Sequence, residues 1–231
     1  MKRLNYERLT VAPTLLRPIS CLLAISIALV LPCSALDTPL SDTAVRQAYF
    51  MGQRHDESLA RFLDHYTRHL APPKTGPYIS SVSLLTPYAL LTQLSDRHAY
   101  GYSAQQAELQ HQNLVETVKI VIEIQLTDTY SNVMRNPAAR TTGTPMEYLL
   151  RPSDFWRDFR VQIFNGDDFL APFLYSGHPV YFCGDTGCTL VGATIHLEFP
   201  AESFTSDSAR VSIDPPEGDP VTVEFDLASL R

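Results

Sequence analysis

The chain of 231 residues is acidic, with 25 Asp and Glu against 18 Lys and Arg, and 45% of its residues are hydrophobic. This balance provides no surplus of basic side chains for the phosphates of a nucleic acid or for an anionic membrane surface, so we expect neither as a partner. The apolar content and moderate charge predict a chain that buries a core rather than an intrinsically disordered one.

The first 35 residues have the pattern of a secretory signal peptide. Basic residues precede an apolar run over residues 19–31, and small residues follow it, so we place cleavage between Ala35 and Leu36. The run is shorter than the about 20 residues that cross a bilayer as a helix. Acylation at Cys33 and an uncleaved N-terminal membrane anchor are the alternatives. The pattern predicts export to the periplasm or to the outside of the cell.

Removal of this signal peptide would make the chain more acidic. Residues 1–35 contain four basic side chains and one acidic side chain, so the formal charge changes from -7 to -10. The remaining length suits one large or two small domains. We divide it into a helical region over residues 36–114 and a β domain over residues 115–231, because the hydrophobic period changes between them.

The helical region begins with a long amphipathic pattern. From Leu59 onward, apolar side chains recur at i, i+3, i+4, i+7 and i+11, which is the spacing of one helix face. The same stripe extends upstream. The pattern therefore predicts one helix, or two abutting helices, from about Thr43 until Pro72 and Pro73 end it.

Two histidines on this first helix are candidate metal ligands. His65 and His69 stand four residues apart, a spacing at which two imidazoles can hold one ion. The zincin pattern requires Glu directly after the first His, whereas Tyr66 occupies that position. Tyr66 also belongs to the apolar stripe, so the histidines fall on its flank, where solvated side chains are expected. We therefore expect no resident metal or other cofactor and keep His65 and His69 as candidates.

Two further helices are predicted from their N-terminal signals. Thr86 has the position of an N-cap, and Pro87 follows at the first helical position. Ser103 and Gln106 have the spacing of a capping box, in which each side chain satisfies a backbone N–H at the helix start. The second signal predicts a short surface helix over residues 104–113.

From about residue 115 the pattern becomes that of β-strands. Residues 118–126 alternate between apolar and polar side chains, with Gly, Pro and Asp turn signals later in the chain. Short strands with such turns are typical of an antiparallel sandwich, so the predicted fold class is α+β, with a helical segment followed by a β-sandwich-like domain. Further strands are predicted over residues 159–164, 180–183, 189–199, 210–213 and 221–227.

The connection over residues 128–158 is longer than a compact domain usually contains without a helix or a function. It carries Arg135, Arg140 and Arg151, balanced by acidic residues, and a helical turn is predicted over residues 146–150. One interpretation is a binding loop in which these arginines meet a partner or an anionic group. The other is a surface excursion that is packed by its own aromatic side chains.

Cys183 and Cys188 flank a Gly-Asp-Thr-Gly turn between two strand-like runs. Antiparallel pairing would place them opposite each other, with Cα atoms about 4.5 to 5.5 Å apart, and an oxidising compartment would preserve the bond. The spacing therefore predicts a hairpin disulfide. A zinc site that adds His178 and His196 is disfavoured, because strand parity places His178 on the opposite face and His196 lies eight residues along from Cys188.

No catalytic motif is complete in this sequence. Residues 185–187 spell the D-T-G of aspartic proteases, but that chemistry needs two such carboxylates and the chain has one copy. Carboxylate pairs, such as those of glycosidases, have no local signature. The leading hypothesis is an exported, non-enzymatic binding or envelope-associated protein with a protein or glycan partner. The alternative is a secreted hydrolase that uses carboxylates or a metal held by His65 and His69.

Overall fold

A computed structural model describes residues 36–98, 101–135, 148–185 and 187–230. The predicted signal peptide, with its cleavage site and Cys33, lies outside these residues, and so does Arg140 of the long connection. Within the described ranges, no helix has both the length and the apolar character that a membrane crossing requires.

Four α-helices lie in the N-terminal half of the described chain. Two predicted starts are confirmed: the Thr86 side chain accepts a hydrogen bond at the start of the third helix, and Ser103 and Gln106 form the predicted capping box at the start of the fourth. The first and third helices pack against each other, in a buried cluster that is separate from the main core. The helices are α1 (Asp42–Gly52), α2 (Glu57–His65), α3 (Pro87–Arg97) and α4 (Ala104–His111).

The helix predicted to run until Pro72 ends earlier, at His65, so that part of the prediction is wrong. Upstream, Asp56 starts α2 by accepting hydrogen bonds from two backbone N–H groups, which separates it from α1. Downstream, the chain enters a sheet, because the carbonyl oxygen of the buried Tyr66 accepts the Leu84 N–H at 3.0 Å. Long-range pairing therefore overrides the helical periodicity after His65.

The described residues form eleven strands, and every pairing between them is antiparallel. A five-stranded sheet has the order β1-β2-β3-β9-β8, a four-stranded sheet has the order β11-β10-β6-β7, and β4 pairs with β5. The strands are β1 (Thr67–His69), β2 (Tyr78–Leu85), β3 (Thr117–Gln125), β4 (Val133–Arg135), β5 (Tyr148–Leu150), β6 (Arg160–Asn165), β7 (Asp168–Leu170), β8 (Leu174–Gly184), β9 (Gly187–Pro200), β10 (Ser208–Asp214) and β11 (Val221–Asp226).

The main core contains side chains from both large sheets. Ile122 of β3 and Ile195 of β9 are fully buried in the same cluster as Val211 and Ile213 of β10. The predicted α+β class is confirmed, since four helices accompany antiparallel sheets in the described chain. The sandwich-like arrangement stays a prediction, and the shared core supports it.

Two strands lie in the region that was predicted to be helical. Strand β2 runs beside β3, from the pair Leu85 and Lys119 to the pair Tyr78 and Gln125. A register shift between Ile79 and Ser81 puts buried side chains on both faces of β2, which hides the alternation that identifies a strand. The predicted helical turn at 146–150 is wrong in its described part, because residues 148–150 pair with β4 as β5.

The predicted strands after residue 115 are confirmed with small changes at their ends, except that β8 is much longer than predicted. Trp156 lies against the first half of β8 and belongs to the 3-10 turn Phe155–Asp158 of the long connection. Trp156 packs so closely on Gly177 of β8 that any Cβ there would overlap the indole ring. Of the two aromatic side chains expected to pack the connection, Trp156 is buried, whereas Tyr148 is 60% exposed.

Candidate functional site

The β8–β9 hairpin extends past the neighbouring strand. Strand β3 pairs with β9 only from Pro200 to Gly192, whereas β8 follows β9 to the hairpin end at Gly184 and Gly187. Residues 180–191 form a two-stranded extension of the sheet, which we call the arm. At its base, Leu190 belongs to the main core and the Val191 carbonyl oxygen accepts the Leu126 N–H at 2.8 Å. A two-stranded hairpin is marginally stable by itself, so the arm needs an additional constraint.

The predicted disulfide provides that constraint. Cys183 and Cys188 are direct partners in the β8–β9 register and are bonded, with their Cα atoms 4.0 Å apart. Closing so short a ring removes conformational entropy from the unfolded chain that is worth about 2 kcal/mol. This is enough to hold the arm in its hairpin conformation.

The arm exposes large apolar side chains. Phe182 is 70% exposed, and Tyr181, Val180 and Val191 are exposed at 48%, 42% and 37%. Asp185 is the only charged residue between positions 180 and 191, although the whole chain is acidic. An apolar, nearly uncharged patch on such a protein is typical of an interaction surface.

A groove of about 430 Å³ lies at the base of the arm. Gly192 lies in its lining between β3 and β8, flanked by Gln125 and Val180 in the register of the two pairings. A side chain at position 192 would overlap the carbonyl oxygen of Ile124. Gly192 therefore permits the close approach of β3 and β9 at the point where the arm leaves the sheet.

The structure brings two histidines together on strands β8 and β9. The ring centroids of His178 on β8 and His196 on β9 lie 5.8 Å apart. The Nδ1 atom of His196 is buried and has no hydrogen-bond partner within the described part of the chain. Burial first, and then the positive charges of Lys119 and His178, lower the pKa of His196, while Glu198 opposes the shift. His196 is therefore held as the neutral imidazole at neutral pH.

A pH-dependent stability follows from this lowered pKa. Below pH 6.5, the ordinary pKa of histidine, the unfolded chain takes up a proton that folded His196 resists, so this group destabilises the fold as the pH falls. We expect the His196→Gln variant to lose less stability than the parent between about pH 7.5 and about pH 5.5. Urea denaturation of both proteins at each pH measures the difference. Equal losses in the two proteins would contradict the assignment to His196.

The candidate metal ligands from the sequence are not placed on one helix face. His65 is the last residue of α2, whereas His69 lies in β1, where its Nε2 is 2.9 Å from Asp64 Oδ1. Among the described residues, no group of three or more His, Cys, Asp and Glu side chains is placed to hold a metal ion. The helical spacing on which this site depended is absent because the helix ends at His65.

The arginines of the long connection have different positions. Arg151 donates from Nε to the Ser131 carbonyl oxygen at 2.8 Å, and its guanidinium lies 3.4 Å from the centroid of the Tyr130 ring. Arg151 therefore has a structural role in holding the connection against the core. Arg135 is the last residue of β4, and Arg140 lies outside the described residues.

A second concave site lies where α4 meets the start of β3. It has a volume of about 540 Å³, and its lining includes His111, Glu116 and two further acidic residues, Asp42 and Glu202. Glu116 Oε1 accepts the Leu40 N–H at 2.6 Å and is 2.9 Å from His111 Nε2. We call this site the acidic cleft. No motif in the sequence indicates this cleft, because Asp42 and Glu202 come from segments far from His111 and Glu116 in the chain.

No protein-family description matches the chain, and no curated protein matches it. The arm, the groove and the acidic cleft are therefore the features that bear on function.

Proposed function

We propose that this is an exported, non-enzymatic binding or envelope-associated protein that contacts a protein partner through the arm. The observation that carries the proposal is the exposure of Phe182 at the end of a hairpin that a disulfide closes. The signal-peptide pattern supports export. The disulfide also supports export, because such a bond persists in an oxidising compartment.

The energetics of the arm favour binding. Burying one side chain of the size of Phe182 or Val180 against a partner is worth about 1.5 to 3 kcal/mol. The Cys183–Cys188 bond restricts the hairpin before binding, so less conformational entropy is lost in the complex. Asp185 is the only charged residue in the arm, so a partner surface that is complementary to the arm is apolar and uncharged.

Site-specific photo-crosslinking tests this function. We expect p-benzoylphenylalanine at position 182, introduced into the protein in its producing cells, to give a discrete adduct with a protein partner. Leu109 on α4 is 55% exposed and provides the control position. Purified parent protein should compete for the adduct, and the Phe182→Asp variant should compete at least about tenfold more weakly, because a charge replaces the apolar contact.

Two results would overturn the proposal. The first is the same adduct pattern from positions 182 and 109, which would mean that the arm has no specific partner. The second is equal competition by the parent and by Phe182→Asp, provided that intact mass and circular dichroism show the same disulfide and fold in both.

The acidic cleft favours a hydrolase as the second candidate function. His111 beside the largely buried Glu116 is an imidazole–carboxylate pair in a concave site, which is the arrangement that general acid–base catalysis uses. A panel of ester, peptide and glycoside substrates tests this function. Turnover that His111→Ala abolishes would replace the binding proposal, whereas activity that is unchanged in His111→Ala would remove the cleft as its source.

A further inference from the structure

His178 and His196 lie on the same outer face of the five-stranded sheet. In the β8–β9 register, His178 is opposite Thr194, two residues from His196, so the two rings are diagonal neighbours on adjacent strands. Ile195 and Leu197 point to the other face, where both are buried in the main core. The face that carries the histidines is therefore turned away from the main core, and His178 is exposed on it.

The imidazoles of this pair are not occupied by carboxylates. Within the described chain, His55, His69 and His111 each lie 2.8 or 2.9 Å from a carboxylate oxygen, whereas no ion pair there includes His178 or His196. Nδ1 of His196 is buried without a hydrogen-bond partner among the described residues, so Nε2 is the nitrogen of this ring that can meet a ligand. Two neighbouring imidazoles in this state are ligands suited to a transition-metal ion.

The charges on this face favour a cation. Glu123 of β3 and Glu198 of β9 have their side chains on the same face as His196, and Lys119 of β3 lies there too. Lys119 Nζ is 3.3 Å from Glu198 Oε1, so the positive charge of Lys119 is compensated and the Glu123 carboxylate leaves this part of the face negative. Burial lowers the pKa of His196, so the neutral imidazole, which is the form that binds a metal, is present at neutral pH.

We propose that His178 and His196 together bind one divalent transition-metal ion, with Cu(II) preferred over Zn(II). Their ring centroids are 5.8 Å apart, which is within the span of two imidazoles whose nitrogens each lie about 2.0 to 2.1 Å from a shared ion. Among the first-row divalent ions, Cu(II) has the highest affinity for nitrogen ligands. The described residues place no group of three His, Cys, Asp or Glu side chains around one ion, so water completes the coordination.

This site holds an exchangeable ion and is open to an external ligand. It has two protein ligands, and the Nδ1 of His196 lacks the acceptor that usually orients a metal-binding imidazole. Cys183 and Cys188 take no part, because they are bonded to each other. The ion links β8 to β9 on the sheet itself, before the start of the arm, so the inference goes beyond the proposed function and does not depend on it.

Titration of the full purified chain with CuCl₂ at about pH 7.5 tests the site, with calorimetry and electron paramagnetic resonance as readouts. We expect one ion per chain, a dissociation constant on the order of 10 µM, and two imidazole nitrogens bound to the copper. His178→Gln should raise the dissociation constant at least about tenfold, because it removes one of two protein ligands. His69→Gln is the control, since β1 is the opposite edge strand of the same sheet, and this variant should bind Cu(II) like the parent.

His196→Gln tests the second ligand, with circular dichroism as the check on its fold, and it should weaken binding as His178→Gln does. A parent that binds no Cu(II) at about 100 µM would overturn the inference. Binding that His178→Gln leaves unchanged, or that His69→Gln weakens equally, would also overturn it. None of these results depends on a crosslink at position 182, so the metal site and the proposed function can fail separately.

Discussion

Replacement of Gly192 by alanine is expected to lower the free energy of unfolding by about 3 kcal/mol, because it forces overpacking between β3 and β9 where their pairing ends. The added Cβ would overlap the Ile124 carbonyl oxygen, which is backbone and cannot rotate away as a side chain can. Strands β3 and β9 would have to separate beside the register pair of Ile124 and Ala193, which are both buried. The substitution should therefore affect the whole fold as well as the groove.

Gly184 provides the matched control for this substitution. It lies on the same hairpin, and a Cβ at that position would meet only the Phe182 ring, at 4.0 Å, which is ordinary contact. Gly184→Ala should therefore change stability by less than about 0.5 kcal/mol. Chemical denaturation of both variants under oxidising conditions gives the comparison. Similar losses of unfolding free energy in Gly192→Ala and Gly184→Ala would show that the close approach of β3 and β9 at Gly192 does not exclude a Cβ.

Removal of the Glu116 carboxylate is the second change from which we expect a large effect. Glu116→Ala should cost about 2 to 3 kcal/mol, because it leaves the Leu40 N–H and the His111 ring without their carboxylate partner in a largely buried position. Leu40 belongs to the cluster beneath α1, α3 and α4. The loss should therefore loosen the segment that leads into α1.

Glu202 lines the same acidic cleft but is exposed, so Glu202→Ala is the control and should be nearly neutral. Thermal and urea denaturation measure global stability, and hydrogen exchange at the Leu40 amide reports the local contact. A small and equal effect of both substitutions would contradict the role given to Glu116. Glu116→Gln should lie between them, since an amide oxygen can still accept from Leu40.

The sequence could predict features that depend on residues close together in the chain. The Thr86 N-cap, the Ser103–Gln106 capping box and the Cys183–Cys188 bond each involve side chains at most five residues apart. Their geometry follows from local backbone conformation, which the residue types themselves favour. The alternation over β3 is equally local, because successive side chains of a strand point to opposite faces.

Only the tertiary structure could show the remaining features of the candidate sites. The end of α2 at His65 depends on pairing between β1 and β2, and the contact of His178 with His196 depends on the β8–β9 register. The exposure of Phe182 is decided by where β3 stops beside β9. By itself, the sequence determined the starts of α3 and α4, the alternation of β3 and the disulfide. Long-range pairing decided which of these residues are brought together and which are exposed, because periodicity describes one segment at a time.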